Sequence, residues 1–271
     1  MEYDPIKDKL GSFFRKSPAL QVLFFKLLDL LLLRAWHIHK EIRDWAATRS
    51  GRQHLLDAGT GFGQYSYWIL NNYSSWSVEG VDVNPTQIGS SNTLFRKLGF
   101  ENAHFKVADL TRYKNPETYD LAVCVDVMEH ILEDVAVFRN VYASLKPGGM
   151  MLISTPSDQG GSGVQTDSDE SFIGEHVRDG YNVNELKEKL ETGGFERVEV
   201  RYQYGTPGQI SWKLSMKYPM QMLNTSFLFI VILPFWYLLF FPFCLLLNYR
   251  DTYSTHRTGT GLIAKAYKEP E

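Results

Sequence analysis

Short β-rich runs alternate with helical stretches over residues 52–155, and this alternation limits the possible folds more than any other feature of the sequence. The run from Tyr119 to Val125 has the apolar character expected of a strand buried on both faces of a sheet. The other predicted strands are 54–57, 77–82, 103–107 and 150–154, and the predicted helices are 64–71, 85–98 and 132–145. Strands and helices that alternate at this spacing predict an α/β fold with a parallel, doubly wound sheet.

The chain continues with further predicted elements beyond this alternation. Residues 146–149 (KPGG) are predicted as a turn, and residues 156–180, rich in Gly, Ser and Asp, as a loop. A helix is predicted over 182–191, and two more strands over 195–204 and 261–267.

The strongest chemical signal is the segment LLDAGTGFG, residues 55–63, which predicts a strand, a glycine-rich turn and the start of a helix. Glycines permit positive φ angles and the close approach of a ligand to the backbone. Asp82 and Asp109 follow the next two predicted strands. Carboxylates at such positions can accept hydrogen bonds from ribose hydroxyls and from an adenine amino group. Each acidic residue alone is explained as a cap, but three at successive strand ends favour a nucleoside-containing ligand.

Five motifs taken together resemble the successive motifs of class I S-adenosylmethionine-dependent methyltransferases, of the methyltransferase type 11 or ubiquinone-biosynthesis-like kind. The motifs are DAGTGFG, VEGVDVNP, ADL, YDLAVCVDVMEHI and LKPGGMMLISTP, and the resemblance covers residues 52–205 and 258–268. It implies a Rossmann-like, mostly parallel sheet of seven strands whose last two form an antiparallel hairpin. It also implies S-adenosyl-L-methionine as the cofactor.

The resemblance further assigns residues to the cofactor and to the reactive centre. The cofactor-binding residues that it implies are Asp57, Gly59, Thr60, Gly61, Gln64, Asp82, Val83, Asp109, Leu110, Val125 and Asp126. Asp57 and the glycines would line the methionine part, Asp82 would hold the ribose and Asp109 would contact the adenine. Asp126 departs from relatives of the ubiquinone-biosynthesis type, which often carry a small polar or uncharged residue there.

Two histidines are candidate catalytic bases if the acceptor atom is a hydroxyl or phenol oxygen. His130 follows the fourth strand, and His176 lies in the loop after the fifth. Either could instead be a structural residue in the wall of the cleft. No metal site is predicted, because Cys124 and Cys244 lie in apolar runs without ligand spacing and fit buried thiols in a reducing compartment.

Two other classes of function share part of this pattern. An NAD-dependent Rossmann oxidoreductase also has a glycine turn and a ribose carboxylate, but its fingerprint is G-x-G-x-x-G. Here the pattern is Gly59-x-Gly61-x-Gly63, and a dehydrogenase does not predict the DVMEH segment. The second alternative is a non-catalytic membrane-associated scaffold with a methyltransferase fold.

A hydrophobic run from Leu223 to Leu247 interrupts the predicted terminal hairpin, and no charged residue lies between Lys217 and Arg250. The resemblance implies that the flanking strands belong to one sheet, and this excludes a single membrane span. Two spans need about 40 apolar residues, and this run has about 25. We therefore expect a shallow re-entrant hairpin or interfacial helices, with breaks at Pro234 and Pro242.

The N-terminal stretch 18–47 has a wide apolar face and a narrow polar stripe. This pattern predicts one interfacial helix, or a lid packed against the hydrophobic insertion. The family resemblance implies N-terminal helices over the cofactor cleft, which would place Arg43, Asp44 and Trp45 near the cleft. Residues 1–50 carry nine Lys/Arg against six Asp/Glu, and residues 206–257 carry four against one, so each has a charge of about +3 within a chain of net charge -3. Basic charge beside apolar surface suits an anionic membrane, whereas a pI near 6.2 gives no reason to expect nucleic acid.

The sequence thus predicts three regions: an apolar N-terminal helical region (1–50), a methyltransferase core (51–205 with 258–271) and a membrane-associating insertion (206–257). The predicted function is S-adenosylmethionine-dependent methylation of a lipophilic small molecule, with oxygen as the favoured acceptor atom and nitrogen or carbon as alternatives. The expected location is the cytoplasmic face of a membrane, reached through residues 18–47 and 223–247; integral insertion is the less favoured alternative.

Overall fold

The computed structural model of the protein describes residues 17–160 and 177–270. Its strands are β1 (His54–Ala58), β2 (Ser77–Asp82), β3 (Ala103–Val107), β4 (Tyr119–Val125), β5 (Leu145–Pro156), β6 (Arg197–Gln203) and β7 (Gly261–Tyr267). They form one sheet in the order β3-β2-β1-β4-β5-β7-β6, in which only β7 runs antiparallel to its neighbours. The predicted seven-stranded, mostly parallel Rossmann-like sheet with an antiparallel terminal hairpin is confirmed.

Helices cover both faces of this sheet. They are α1 (Pro18–Leu31), α2 (Leu33–Ala46), α3 (Gln64–Asn72), α4 (Pro85–Lys97), α5 (Asp134–Ser144), α6 (Val183–Thr192), α7 (Thr206–Trp212), α8 (Tyr218–Thr225) and α9 (Leu233–Thr252). α2, α3 and α4 pack on one face and α5 and α6 on the other, each over its own apolar cluster. Local sequence fixes the helix starts: the Asn84 side chain accepts hydrogen bonds from the N–H groups of Thr86 and Gln87, and Pro85 occupies the first helical position.

The N-terminal stretch forms two helices, so the prediction of a single helix over 18–47 is wrong. Leu32 separates them with extended dihedral angles, φ -89° and ψ 112°. Apolar periodicity continues through this residue and hides the break. The change of direction lets Leu33 pack against Gly208, a contact that no local pattern encodes.

α2 also corrects the expected position of Arg43, Asp44 and Trp45. Its first turn lies at the carboxyl edge of the sheet, where Arg34 pairs with Asp126 just after β4. Its last turn lies at the opposite edge, where the Trp45 ring packs edge-on against Trp76, one residue before β2. Since the helix crosses the sheet, these three residues lie far from the carboxyl edge.

The predicted turn at residues 146–149 is part of β5. That strand begins at Leu145, which pairs with Tyr119, and the register shifts before Met150 pairs with Leu121. Gly148 takes φ +76° within this irregular stretch. The glycine and proline signals therefore mark an irregular part of the strand, in which residues 146–149 have no register partner in β4 or β7.

Residues 206–252, which lie between β6 and β7, form a helical hairpin. Its first arm combines α7, a π-helical turn (Lys213–Lys217) and α8, and its second arm is α9. The arms run antiparallel: the Tyr237 hydroxyl donates to the Ser215 carbonyl at 2.8 Å, and the Ser211 hydroxyl to the Cys244 carbonyl at 3.3 Å. The predicted break at Pro234 is confirmed, because α9 starts there, whereas Pro242 lies inside a continuous helix.

The helical hairpin leaves a large apolar surface in solvent. Its exposed large apolar side chains include Leu228, Val231, Phe235, Leu238, Leu239, Phe243 and Leu246. Within the described residues, α9 is the one helix long and apolar enough to cross a membrane. Because Gln203 and Pro156 both pair with Gly261, the hairpin leaves and rejoins the sheet at the edge where β5 ends.

Candidate active site

The glycine turn lies between β1 and α3 and is held to the neighbouring strand. Gly59 and Thr60 both donate their N–H groups to the carbonyl of Val81, at 2.8 and 3.0 Å. Gly59, Gly61 and Gly63 take φ values of +77°, +53° and +82°. A Cβ atom on Gly61 would meet only Oε1 of Gln87, at 3.7 Å, so the backbone there faces open space that a ligand can occupy.

Asp57 braces this turn from inside the protein. Asp57 is only 3% exposed, and its Oδ2 accepts hydrogen bonds from Oγ1 of Thr60 (2.8 Å) and Oγ of Ser66 (2.5 Å). Burial raises the pKa of the Asp57 carboxyl, and the hydrogen bonds from Ser66 and Thr60 oppose that shift. Asp57 therefore shapes the turn, and its direct contact with a cofactor stays a prediction.

Asp82 ends β2 beside the turn. Its Oδ2 accepts from the Gly61 N–H and its Oδ1 from the Asn84 N–H, each at 2.9 Å. Each carboxylate oxygen keeps a second lone pair for ribose hydroxyls. The adjacent Val83 side chain is 58% exposed, which leaves an apolar surface available to a flat ring.

Asp109 and Leu110 follow β3, the next strand of the sheet. Leu110 is buried, whereas Asp109 is exposed and its Oδ1 accepts from the N–H and hydroxyl of Thr111. These hydrogen bonds from Thr111 hold the pKa of the Asp109 carboxyl below its usual range. The structure thus brings Asp57, Asp82 and Asp109 to adjacent strand ends, with only the last two accessible to a ligand.

The N-terminal helix α1 reaches the predicted cofactor region through Gln64. The Gln64 amide, at the start of α3, donates to Oδ1 of Asp29 on α1 at 2.7 Å. Burial raises the pKa of Asp29 to about 6, and the hydrogen bond from Gln64 opposes that shift. Further along α1, Phe25 is buried against Tyr67 of α3, so the helix lies across the carboxyl edge.

A charged cluster forms where β4 ends. Asp126 adopts φ +51°, which is uncommon for a residue with a side chain and typical of functional sites. Its carboxylate pairs with the guanidinium of Arg34 from α2, and both side chains are partly exposed. Nearby Glu129 is buried, accepts from the Thr155 hydroxyl at 3.1 Å, and has a pKa that burial raises.

Two tyrosines complete this cluster around Arg34. The Tyr204 hydroxyl accepts a hydrogen bond from the backbone N–H of Arg34 at 3.0 Å, and Tyr65 follows Gln64 on α3. Burial raises the pKa of both phenols to about 12, while the positive charge of Arg34 lowers it. The cluster combines a guanidinium, two carboxylates and two phenols close to the glycine turn.

Sequence reasoning missed Arg34, Tyr65, Glu129 and Tyr204. Glu129 carried a local signal, because it lies in the same DVMEH segment as Asp126 and His130. The other three come from α2, α3 and the end of β6, and only tertiary packing brings them together. Val125 and His130 lie at the end of β4 and in the following 3₁₀ turn, with His130 exposed, whereas His176 lies outside the described residues.

No cluster of three or more metal-ligating side chains occurs within residues 17–160 and 177–270.

Comparison with known proteins supports the same interpretation. Residues 55–149 match a family described as "Methyltransferase domain". A phosphoethanolamine N-methyltransferase of Triticum aestivum is 31% identical over 162 residues, which cover 59% of this chain and 31% of that protein. A ubiquinone biosynthesis O-methyltransferase of Aeromonas salmonicida is 27% identical over 116 residues, covering 41% and 48%. The chain thus spans about a third of the length of the phosphoethanolamine methyltransferases that it matches.

Residues 55–149 match the methyltransferase family, and the protein has the fold of class I S-adenosylmethionine-dependent methyltransferases. The fold agrees with solved structures of such domains. Haemonchus contortus phosphoethanolamine N-methyltransferase 2, in complex with S-adenosyl-L-methionine, has a TM-score of 0.61 at 20% identity and covers 87% of this chain and 53% of its own. A sarcosine dimethylglycine methyltransferase structure from Galdieria sulphuraria has a TM-score of 0.58 at 16% identity, covering 88% and 86%.

The cleft of the methyltransferase domain fits S-adenosylmethionine, the cofactor of this family. The open backbone at Gly61 and the half-buried Asp82 provide a cradle of the kind that a nucleoside needs. The sequence-based assignment of Thr60, Gln64, Val125 and the remaining residues to cofactor contacts stays a prediction.

Proposed function

We propose that the protein transfers a methyl group from S-adenosylmethionine to the polar end of a lipophilic acceptor held at a membrane surface. One observation carries the proposal: the glycine turn with Asp82, the Arg34–Asp126 cluster and the root of the apolar helical hairpin share one edge of the sheet. A cofactor on the turn would have its reactive end next to the charged cluster. An acceptor whose tail rests in lipid could reach that cluster with its head.

The membrane part of the proposal is supported by the distribution of charge on the hairpin. No charged residue separates Lys217, in the first arm, from Arg250, near the base of the second. Eight residues separate Lys217 from the end of the first arm at Thr225, which is about 12 Å of helix. This length is less than one leaflet of a hydrocarbon core about 30 Å thick. The hairpin thus suits shallow, one-sided insertion, with the core on the cytoplasmic side.

The acceptor atom has two candidates. Oxygen is the atom favoured by the sequence, and a phenol or hydroxyl acceptor needs a base such as His130 or a carboxylate of the cluster. An amine is the second candidate, because Asp126 already holds a cation in this pocket and the relatives named above include N-methyltransferases. In both cases positioning is the main requirement, since the sulfonium of the cofactor is itself a good leaving group.

Calorimetric titration tests the cofactor part of the proposal. S-Adenosylhomocysteine should bind with micromolar affinity, and Asp82→Ala should abolish this binding, while Glu188→Ala on the exposed surface of α6 should leave it unchanged. Unchanged affinity in the Asp82 variant would refute the site. Binding of NAD in place of S-adenosylhomocysteine would favour the oxidoreductase alternative.

A further inference from the structure

Asp251 lies where the helical hairpin joins the rest of the protein, in the last turn of α9. It is fully buried, and its carboxylate accepts three hydrogen bonds from two different segments. The donors are the Tyr204 N–H at 3.1 Å, the Gly208 N–H at 2.9 Å and Nε2 of His37 at 2.9 Å. The first two belong to the entry of the hairpin and the third belongs to α2. One side chain therefore fastens both ends of the hairpin to the helix that carries Arg34.

Two short connections lead from Asp251 to the acceptor side of the cleft. His37 lies one turn after Arg34 on α2, so the two side chains share a helix face. Tyr204 donates its backbone N–H to Asp251, and its hydroxyl accepts a hydrogen bond from the backbone N–H of Arg34 at 3.0 Å. Arg34 in turn pairs with Asp126. The first connection consists of one hydrogen bond and one helical turn, and the second consists of two hydrogen bonds.

The packing at this junction leaves little room for independent movement. A Cβ atom on Gly208 would lie 2.6 Å from Cδ2 of Leu33 and 2.7 Å from Oδ2 of Asp251. The first arm of the hairpin therefore touches the first turn of α2 directly. Tyr204 has φ +57°, so the chain enters the hairpin through a backbone conformation that is costly for a residue with a side chain. A change in the tilt of the hairpin would therefore press on the first turn of α2, which carries Arg34.

We propose that Asp251 is a positioning residue that transmits engagement of the hairpin with a bilayer to Arg34, and that this engagement releases Arg34 from Asp126 so that the acceptor head can enter. The proposal rests on the membrane-surface function argued above. Coupling between two sites is reciprocal. Weakening the Arg34–Asp126 pair should therefore increase the affinity of the protein for a bilayer. This increase in affinity should disappear when Asp251 is replaced.

The test is a double-mutant cycle on bilayer binding, which requires no knowledge of the acceptor. Partition of the protein onto phosphatidylcholine vesicles, which carry no net charge, is measured for the wild type, Asp126→Asn, Asp251→Asn and the double variant, so that loss of a negative charge does not by itself change binding. Asp126→Asn alone should strengthen partition by about fivefold, the lower end of usual coupling strengths. In the Asp251→Asn background, Asp126→Asn should leave partition onto the vesicles unchanged. A merely structural role of Asp251 would weaken folding without removing the dependence of partition on residue 126.

Two further variants keep the cycle decisive. His37→Asn combined with Tyr204→Phe replaces Asp251→Asn if the latter unfolds. These two changes remove the Nε2–Asp251 bond and the hydroxyl that accepts the backbone N–H of Arg34, so they cut both connections to α2 and leave the bonds of Asp251 to the backbone of Tyr204 and Gly208 intact. Glu41→Gln is the matched control: this buried carboxylate also lies on α2, but it pairs with Arg201 and Lys265 of the sheet. In the Glu41→Gln background, Asp126→Asn should keep its fivefold effect.

Each outcome has one meaning. An equal effect of Asp126→Asn with and without Asp251, or no effect at all, overturns the coupling while leaving the proposed function standing. Absence of wild-type binding to vesicles overturns both the coupling and the membrane part of the proposed function. Failure to bind S-adenosylhomocysteine, measured separately, refutes the enzymatic part and does not touch the cycle.

Discussion

Two glycines of the same turn have different surroundings, so a substitution at one tests folding and a substitution at the other tests ligand binding. A Cβ atom on Gly59 would lie 2.3 Å from Cγ2 of Val127, whereas a Cβ atom on Gly61 would face open space. We expect Gly61→Ala to fold with a loss of about 1–2 kcal/mol, because φ +53° disfavours a side chain. Its added methyl group would occupy the cradle, so affinity for S-adenosylhomocysteine should fall by about tenfold or more.

Gly89→Ala is the control for this variant, because Gly89 lies in α4 with no atom within 4 Å of its added Cβ. It should stabilise the protein by about 0.5–1 kcal/mol and leave affinity unchanged. Thermal unfolding and calorimetric titration of the two variants check both statements. Wild-type affinity in Gly61→Ala would mean that the ligand does not approach this part of the turn.

Asp29 gives the protein a pH dependence with a defined sign. Burial raises its pKa from 3.8 in the unfolded chain to about 6. The folded state therefore binds more protons than the unfolded state between these values, so this contribution to stability is present below about pH 4 and is lost as the pH rises through about 6. Asn cannot ionise, so the stability of Asp29→Asn relative to the wild type should rise by up to about 3 kcal/mol between about pH 4 and 7.

Urea unfolding of both proteins across this pH range measures the difference. The variant must be compared with the wild type because His39, which lies 3.6 Å from Asp29, changes the stability with pH in the opposite direction. Burial lowers the pKa of His39 to about 3, so its contribution is lost as the pH falls below the usual histidine value. A difference between the two proteins that stays constant with pH would show that Asp29 does not titrate in this range.

At the scale of elements, sequence predicted what local periodicity encodes and missed what packing decides. The strand β4 and the helix α4 lie within a residue or so of their predicted bounds, because an apolar run and an Asn84-Pro85 cap are local signals. The break at Leu32 was missed because the apolar pattern runs through it. Arg34 was missed as a site residue for a different reason: its partner Asp126 is distant in sequence, and only the path of α2 brings the two side chains together.

The exposed apolar surface on the second arm of the hairpin is expected to bind lipid and to contribute little to folding. Leu238 and Leu239 are 78% and 71% exposed, so they contribute little to the folded core. Replacing both with Glu should leave thermal stability within about 1 kcal/mol of the wild type. Binding to lipid vesicles should fall by about tenfold or more, because two carboxylates would have to enter the apolar layer or prevent insertion.

Vesicle flotation measures this loss, and Leu132→Glu provides its control. Leu132 is 73% exposed, but it lies between the 3₁₀ turn and α5, away from the hairpin. That variant should bind vesicles like the wild type. Equal flotation of the hairpin variant and the wild type would show that the exposed leucines serve another contact.

The molecule as a whole collects three separate parts at one edge of its sheet. Parallel strands bring the glycine turn, Asp82 and Asp126 to their carboxyl ends, and the antiparallel β7 returns the inserted hairpin to that same edge. α1 crosses this edge with Asp29 bound to Gln64, while Leu23, Leu27 and Leu30 stay exposed on its outer side. Bilayer contact through α1 and the hairpin would thus place the cleft mouth against the lipid headgroups.

This arrangement predicts that cofactor binding and lipid modification can be separated by mutation. The Leu238→Glu, Leu239→Glu variant should bind S-adenosylhomocysteine like the wild type, since neither leucine belongs to the cleft. In cells that lack the wild-type protein, the variant should fail to restore a membrane lipid heavier by one methylene group, whereas Leu132→Glu should restore it. Mass spectrometry of extracted lipids measures this product. Full restoration by the hairpin variant would mean that the acceptor reaches Asp126 from water, and the hairpin would then have a role other than delivering the acceptor.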